Sequence, residues 1–276
     1  MTIALIDNGS LEPAATRNLR AVAAELSASA DVTAHPVSWK HSDRIPLSAL
    51  DGDAPGTTLA PFIRAQLAAG ERRFVFVPFF ISAQGAIGSA LRSDLEKLQR
   101  RHAATPFDFT FTSGLADTDV MTKIVADLVR EIIALASLKR PPVIVVDHGG
   151  PSLASAILRN RLADEIRAQL GSEITSLAAA SMEGGDHAHN LPLLVEQLRT
   201  PGFDRGDVIV ALLFLSPGRH AGPGGDIVQI CRQAETATPA LRCHLTELVG
   251  THPLAATTLA AALRATLSTV HAPLSA

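Results

Sequence analysis

Two histidines and a glutamate follow apolar segments in the second half of this 276-residue chain, each close to where its segment ends. His148 lies in VIVVDHGGPS, Glu183 in ASMEGGDHAHN and His220 in LFLSPGRHAGPGGD. Imidazole is mostly neutral at pH 7, so it can bind a metal ion or accept a proton. Two imidazoles and a carboxylate in one place would suit a borderline divalent ion such as Co²⁺, Fe²⁺ or Ni²⁺.

The elements that must position these side chains alternate along the whole chain, because short runs rich in Val, Ile, Leu and Phe are separated by segments of helical period. The predicted strands are 2–7, 32–38, 73–79, 107–112, 143–147, 174–180, 207–215 and 241–246. The predicted helices lie near 14–28, 57–69, 88–102, 118–137, 153–170, 190–199, 225–235 and 254–269. Such alternation predicts parallel sheets covered by helices, and ligands of these sheets bind beyond the carboxyl ends of the strands.

The order of elements occurs twice, and the letters repeat with it. The segment 3–10 (IALIDNGS) corresponds to 143–150 (VIVVDHGG) at a shift of 140 positions. The segment 72–82 (RRFVFVPFFIS) corresponds to 206–216 (GDVIVALLFLS) at a shift of 134. Landmarks that recur in the same order indicate an internal duplication rather than a chance similarity of apolar strands.

The join between the copies is the segment 138–142 (LKRPP), where two prolines end a helix and favour extended chain. We therefore predict an α/β protein of two tandem flavodoxin-like domains, 1–137 and 141–276. Each domain is expected to hold a four-stranded parallel sheet flanked by helices, and a pseudo-twofold axis is expected to relate the two.

Composition excludes several classes of function. A net charge of −3 without a long basic run gives no general attraction to nucleic acid or to an anionic membrane. The longest apolar run, 208–215, is far shorter than the roughly 20 residues of a membrane span. The two cysteines form no CxxC pair, and the N-terminus has no signal-peptide pattern. We expect a soluble, cytoplasmic protein without nucleic-acid or membrane partners.

At its candidate site the chain resembles the class II tetrapyrrole chelatases of the CbiX type, which insert metal into sirohydrochlorin. The family's strand ending in HG[ST] is matched by Asp147–Gly150 (DHGG), with a second glycine in place of Ser or Thr. Its PLFLSxGxH motif with a following acid is matched by Leu212–His220 (LLFLSPGRH) and Asp226, and Glu183 occupies the place of its glutamate. These specific residues lie almost wholly within 143–254.

The resemblance implies ATP-independent insertion of Co²⁺ or Fe²⁺ into sirohydrochlorin or a related tetrapyrrole, in cobalamin or sirohaem synthesis. His148 and His220 would hold the ion and take up pyrrole protons, and Glu183 would assist as ligand or base. The tetrapyrrole would carry many carboxylates, which bare N–H groups at a helix start favour. The residues expected to bind it are Ser216, Arg219, Gly222, Gly224 and Gly225. The metal is then a substrate, no organic cofactor is expected, and the fused monomer should be sufficient for activity.

The first half departs from the family pattern. Asn8 stands where His148 stands in the second half, and Ala86 stands where His220 does. No acidic residue clearly matches Glu183 after the strand 32–38. The sequence therefore indicates one functional site, in the second half, and a structural role for the first half as a wall of that site.

Alternatives remain at this point. The protein could carry a tetrapyrrole or a metal without turnover, since the Ser or Thr of the first motif is missing. A dinucleotide-dependent oxidoreductase is disfavoured because no GxGxxG follows either first strand. The glycine-rich loop after His220 could be a plain turn into a helix, and Asp186, His187 and His189 could feed metal to the site or form a solvated loop.

Overall fold

The computed structural model describes residues 1–50, 52, 54–81 and 86–270, apart from the side chains of 86, 87 and 270. Its strands form two separate four-stranded parallel sheets rather than one continuous sheet. The first contains β1 (Thr2–Asp7), β2 (Ala34–Ser38), β3 (Arg73–Pro78) and β4 (Asp108–Phe111). The second contains β5 (Val143–Asp147), β6 (Leu177–Ser181), β7 (Gly206–Leu212) and β8 (Leu241–Leu245).

Both sheets have the same strand order, β2-β1-β3-β4 and β6-β5-β7-β8. This is the flavodoxin-like order without its fifth strand. The hydrogen-bonded register also agrees, because Ile3 lies beside Val75 in one sheet and Val143 lies beside Ile209 in the other. These pairs reproduce the shifts of 140 and 134 positions found in the letters, so the predicted α/β fold and its duplication are confirmed.

Eight α-helices lie among the residues that the structure describes. They are α1 (Pro13–Ala30), α2 (Leu59–Ala68), α3 (Ala86–Arg101), α4 (Val120–Leu135), α5 (Leu153–Leu170), α6 (Leu194–Gln197), α7 (Asp226–Ala237) and α8 (Pro253–Val270). β6 begins three residues later and β7 ends three residues earlier than the sequence predicts, and most helix bounds agree with the prediction to within two residues. The exception is the helix expected at 190–199, which is a single turn, since Pro192 cannot donate a helical hydrogen bond.

The last helix of each repeat belongs to the sheet of the other repeat. The first compact unit is Met1–Thr118 with α8, and the second is Asp119–His252, which includes α4. In the second unit α4 packs on α5, and the Thr122 hydroxyl donates to Glu165 Oε2 at 2.8 Å. In the first unit α8 packs on α1, and Arg264 donates to the Ser29 carbonyl at 2.6 Å. The repeats and the compact units therefore have different boundaries.

Each unit has its own apolar core beside its sheet. Aromatic rings fill much of the first core, where Phe62, Phe74 and Phe107 pack edge to face. Aliphatic side chains of β5 and β7 dominate the second core, and Ile144 and Val210 are fully buried there. Within the described residues, none of the helices combines the length and apolar character that a membrane span requires. The rigid central strands leave the loops at their carboxyl ends to carry chemistry.

Candidate functional site

A glycine turn brings the ends of β5 and β6 into contact. Gly149 has φ +83°, and a Cβ atom at this position would lie 2.1 Å from the Glu183 carbonyl oxygen. Only glycine permits this conformation together with so close an approach. The Glu183 N–H then donates to the His148 carbonyl at 3.1 Å. The side chains of His148 and Glu183 consequently project from neighbouring positions at the carboxyl edge of the sheet.

The three residues predicted to carry the chemistry lie together at this edge. The Nε2 atom of His148 is 3.5 Å from Oε1 of Glu183. The rings of His148 and His220 have centroids 4.7 Å apart and are nearly perpendicular, at 89°. The side chains of His148 and Glu183 are 47% and 56% exposed, whereas His220 is 29% exposed. The site is therefore open to solvent, with His220 on its more enclosed side.

Hydrogen bonds hold the Nδ1 atom of both imidazoles. Nδ1 of His148 is 2.9 Å from the Gly149 carbonyl oxygen, and Nδ1 of His220 is 2.6 Å from Oδ2 of Asp226. An unprotonated oxygen can only accept, so each Nδ1 must carry the proton for these contacts to be hydrogen bonds. In the neutral rings each Nε2 then presents its lone pair. This is the tautomer and orientation that a metal-binding histidine requires.

The spacing of the candidate ligands suits a metal ion that is bound and later released. Two donor atoms 3.5 Å apart, as Nε2 of His148 and Oε1 of Glu183 are, would each reach one ion at about 2.1 Å with an angle of about 113° between them. No set of three or more His, Cys, Asp and Glu side chains that could hold a metal is found among the described residues. Few protein ligands and an open side favour release of the ion as well as its capture.

A buried arginine lies beneath the site. Arg159 of α5 is only 2% exposed, and it donates to the Ser181 hydroxyl and to the His189 carbonyl. Its Nη1 atom is 3.5 Å from Oδ1 of Asp147, which also accepts from the Ser181 hydroxyl at 2.7 Å. This network joins the last residues of β5 and β6, which lie one position before His148 and two positions before Glu183. Sequence reasoning missed it, although a charged residue on the apolar face of α5, beside Ala156, was a signal.

The loop that follows Glu183 is tied back to the glycine turn. Asn190 is 1% exposed, and its amide donates to the carbonyls of Gly150 and Gly184, both at 2.9 Å. Nε2 of His189 also lies 3.0 Å from the Gly150 carbonyl oxygen, and the His187 ring stacks on that of His189. Nε2 of His189 is therefore engaged by a carbonyl. Asp186, which is 79% exposed, lies 3.7 Å from Nε2 of His187.

The glycine-rich loop before α7 uses its own backbone donors. The N–H groups of Gly225, Asp226 and Ile227 donate to carbonyls of residues 219–222 at 2.9–3.1 Å. The expectation of bare N–H groups is therefore wrong for these three, because the loop closes on itself. The closed loop instead holds Asp226 against His220.

The residues expected to bind substrate lie along this same stretch. Ser216 is partly buried beyond the end of β7, Arg219 is 80% exposed, Gly222 is partly buried, Gly224 is exposed and Gly225 is buried. The Arg219 Nε atom is 3.8 Å from Oδ2 of Asp226. Of this set, the Arg219 side chain is the one that presents charged donors to solvent.

Comparison with protein families decides the relationship of the second half. Residues 142–266 match the family model described as CbiX. This half of the chain belongs to the CbiX family. The resemblance seen at Asp147–Gly150 and Leu212–His220 is thereby confirmed. No curated protein matches the chain in sequence at a significant level.

Solved structures extend the likeness to the whole chain. SirB from Bacillus subtilis with Fe³⁺ superposes with a TM-score of 0.67 at 12% identity, covering 99% of this chain and 98% of that one. The sirohydrochlorin chelatase SirB from Bacillus subtilis subspecies spizizenii in complex with cobalt gives 0.64 at 14%, covering 98% and 97%. CbiX, described as the terminal enzyme for biosynthesis of siroheme in denitrifying bacteria, gives 0.60 at 15%, covering 96% and 99%. At these identities the likeness establishes a shared fold.

Proposed function

We propose that this protein is a metal chelatase, a lyase that inserts Co²⁺ or Fe²⁺ into sirohydrochlorin or a related tetrapyrrole without ATP. The observation that carries the proposal is the pair of imidazoles of His148 and His220, whose rings lie 4.7 Å apart beside Glu183 and whose Nδ1 atoms are both held, which leaves each Nε2 lone pair available for an ion. Membership of residues 142–266 in the CbiX family supports it. So do the metal-bound and sirohydrochlorin-related structures that share the fold.

The proposed chemistry follows from the exchange of ligands and protons when the metal ion enters the tetrapyrrole ring. A free-base tetrapyrrole loses two N–H protons when a divalent ion enters its ring, and both need acceptors. His148 and His220 hold the ion through Nε2, and each nitrogen regains its lone pair when a pyrrole nitrogen replaces it on the metal. The same nitrogen then accepts the released proton and passes it to solvent. Two imidazoles thus balance the two protons, so a separate resident base is not required.

Glu183 and Asp226 have different parts in this scheme. Glu183 is exposed and lies 3.5 Å from Nε2 of His148, so its carboxylate can hold the ion or attract the proton as it leaves. Asp226 faces the opposite nitrogen of His220 at 2.6 Å and never touches the ion. Its negative charge stabilises the imidazolium that forms when His220 accepts a proton, and it fixes the tautomer before that step.

The test is the absorbance change of sirohydrochlorin with Co²⁺ and a small fraction of one equivalent of protein. We expect many equivalents of the cobalt product to form per protein molecule, with His148→Ala and His220→Ala abolishing the catalysed rate. His102→Ala is the matched control, because it removes an imidazole of the first unit that lies outside the candidate site and should leave turnover per folded molecule nearly unchanged. Circular dichroism of each variant establishes that it is folded.

The same experiment separates turnover from carriage. An absorbance change that stops at one equivalent of protein would contradict the enzyme proposal and favour a tetrapyrrole or metal carrier. Replacing Co²⁺ by Fe²⁺ under anaerobic conditions, and then by Ni²⁺, ranks the metals and points to cobalamin or sirohaem synthesis as the pathway. We expect one chain to suffice, with no organic cofactor added and a cytoplasmic location.

A further inference from the structure

The first unit keeps the backbone of the metal-site turn. Gly9 has φ +80°, and a Cβ atom on it would lie 1.7 Å from the Lys40 carbonyl oxygen. The Lys40 N–H donates to the Asn8 carbonyl at 3.3 Å, as the Glu183 N–H donates to the His148 carbonyl at 3.1 Å. Asn8 therefore occupies the position of His148, and Lys40 occupies the position of Glu183. The counterpart of Glu183 is a basic residue, so no acidic residue after the strand 32–38 matches it.

The side chains on this shared turn have the opposite chemistry. In the second unit an imidazole lone pair and a carboxylate suit a cation. In the first unit an amide, which can donate, and an ammonium, which can only donate, suit an anion. Both Asn8 and Lys40 are exposed. The side chain of Ala86, expected at the position of His220, lies outside the part that the structure describes.

Neighbouring residues position the ammonium group of Lys40 without forming an ion pair that would neutralise its charge. Nζ of Lys40 lies over the Trp39 ring, 3.8 Å from its centroid, which is a cation–π arrangement. The charge of Lys40 is one of the influences that lower the pKa of Asp94, after the larger effect of its hydrogen bond to Lys97. That carboxylate is already engaged, by Lys97 at 2.8 Å and by the Trp39 indole N–H at 3.2 Å. Lys40 forms no ion pair with any residue that the structure describes.

We infer that Asn8 and Lys40 form a carboxylate-binding site at the carboxyl edge of the first sheet, which takes one acidic side group of a polycarboxylate tetrapyrrole. The inference rests on the proposed function for the identity of that ligand. The duplicated turn has thus been converted from a cation site into an anion site by replacing its two side chains. On this view the first unit contributes to substrate affinity as well as to the fold.

The experiment is equilibrium binding of sirohydrochlorin in the absence of metal, followed by its absorbance and by quenching of Trp39 fluorescence. Lys40→Met removes the charge and nearly keeps the length, and Lys40→Glu installs the residue type of the second unit. A single solvent-exposed charge-assisted contact predicts a Kd about three- to tenfold higher for Lys40→Met, and a larger increase for Lys40→Glu. Lys40→Arg should bind within about twofold of the original protein, because its charge is kept.

Two comparisons distinguish the possible failures. Lys123→Met, which removes an exposed lysine of the second unit, should not change the Kd. His148→Ala should lose insertion, whereas Lys123→Met should keep it. If Lys40→Met and Lys40→Glu bind as tightly as the original protein, the carboxylate site is refuted and the chelatase proposal stands. If the original protein binds no sirohydrochlorin and inserts no metal, both are refuted.

Discussion

Asp7 is a buried carboxyl group without the partner that its counterpart has. It is 7% exposed, and its Oδ1 atom has no hydrogen-bond partner. The counterpart Asp147 lies beside Arg159, but at the position of Arg159 the first unit has Leu19, which is itself buried. Burial therefore raises the pKa of Asp7 to about 6 from an ordinary 3.8, although contacts to Ser38 and to the Gly9 backbone lower it in part.

This raised pKa makes the stability of the first unit depend on pH. Well below the ordinary pKa of 3.8 the Asp7 carboxyl is protonated in both the folded and the unfolded state and has no destabilising effect. As the pH rises from 3.8 to the folded-state pKa of about 6, the carboxyl ionises in the unfolded chain before it does so in the folded one, and the folded state loses stability until both forms are ionised. The difference between 3.8 and about 6 corresponds to about 3 kcal/mol of lost unfolding free energy at pH 8. Of this, about 1.5 kcal/mol should be lost between pH 5 and pH 8.

Asp7→Asn tests the reasoning, because an amide keeps the shape and does not titrate. Urea unfolding followed by fluorescence of Trp39, the single tryptophan, reports on this unit. Between pH 5 and pH 8 the variant should lose about 1.5 kcal/mol less unfolding free energy than the original protein. The control Asp147→Asn should act in the opposite sense, destabilising the second unit by roughly 3–5 kcal/mol because it leaves Arg159 buried and unpaired. An unchanged pH dependence in Asp7→Asn would refute the account.

Three further predictions concern the second unit. Asp226→Ala should lower Co²⁺ affinity or the insertion rate by about 10–100-fold, since His220 loses its orienting partner; a rate equal to that of the original protein would contradict this. Arg159→Leu should destabilise the protein by roughly 3–5 kcal/mol, measured by urea unfolding followed by circular dichroism; a change below about 1 kcal/mol would show that the network contributes little. A fragment of residues 119–252 should fold cooperatively because it contains α4, whereas 141–276 should aggregate; a soluble, folded 141–276 would show that α4 is dispensable.

The sequence by itself determined the elements and their order. Apolar runs of four to eight residues between helical segments have few structures open to them, so β5 and β7 were predictable as buried parallel strands. The predicted strands then placed His148, Glu183 and His220 beyond the carboxyl ends of β5, β6 and β7, where the structure finds them together. Residue type was enough to indicate metal and proton chemistry, because only some side chains carry a lone pair at neutral pH.

Only the tertiary structure decided which helix covers which sheet. Helical periodicity shows that α4 and α8 each have an apolar face, but it contains no information about the partner of that face. The exchange of these helices between the two repeats could therefore not be predicted from the amino-acid sequence. For the same reason the boundary at 137–141 describes the repeats, whereas the compact units divide at 118 and 252.

The electrostatic environment of the site was also beyond the sequence. The sequence does not show which oxygens the two Nδ1 atoms contact, that Arg159 is buried against Asp147, or that Oδ1 of Asp7 has no hydrogen-bond partner. The contacts among these join residues as many as 12 positions apart at distances of 2.6–3.5 Å. Composition and spacing cannot supply such distances, since they arise when turns such as that at Gly149 bring strand ends together. The same register assigns Lys40 to the position of Glu183, because hydrogen bonds between strands define equivalence where the letters have diverged.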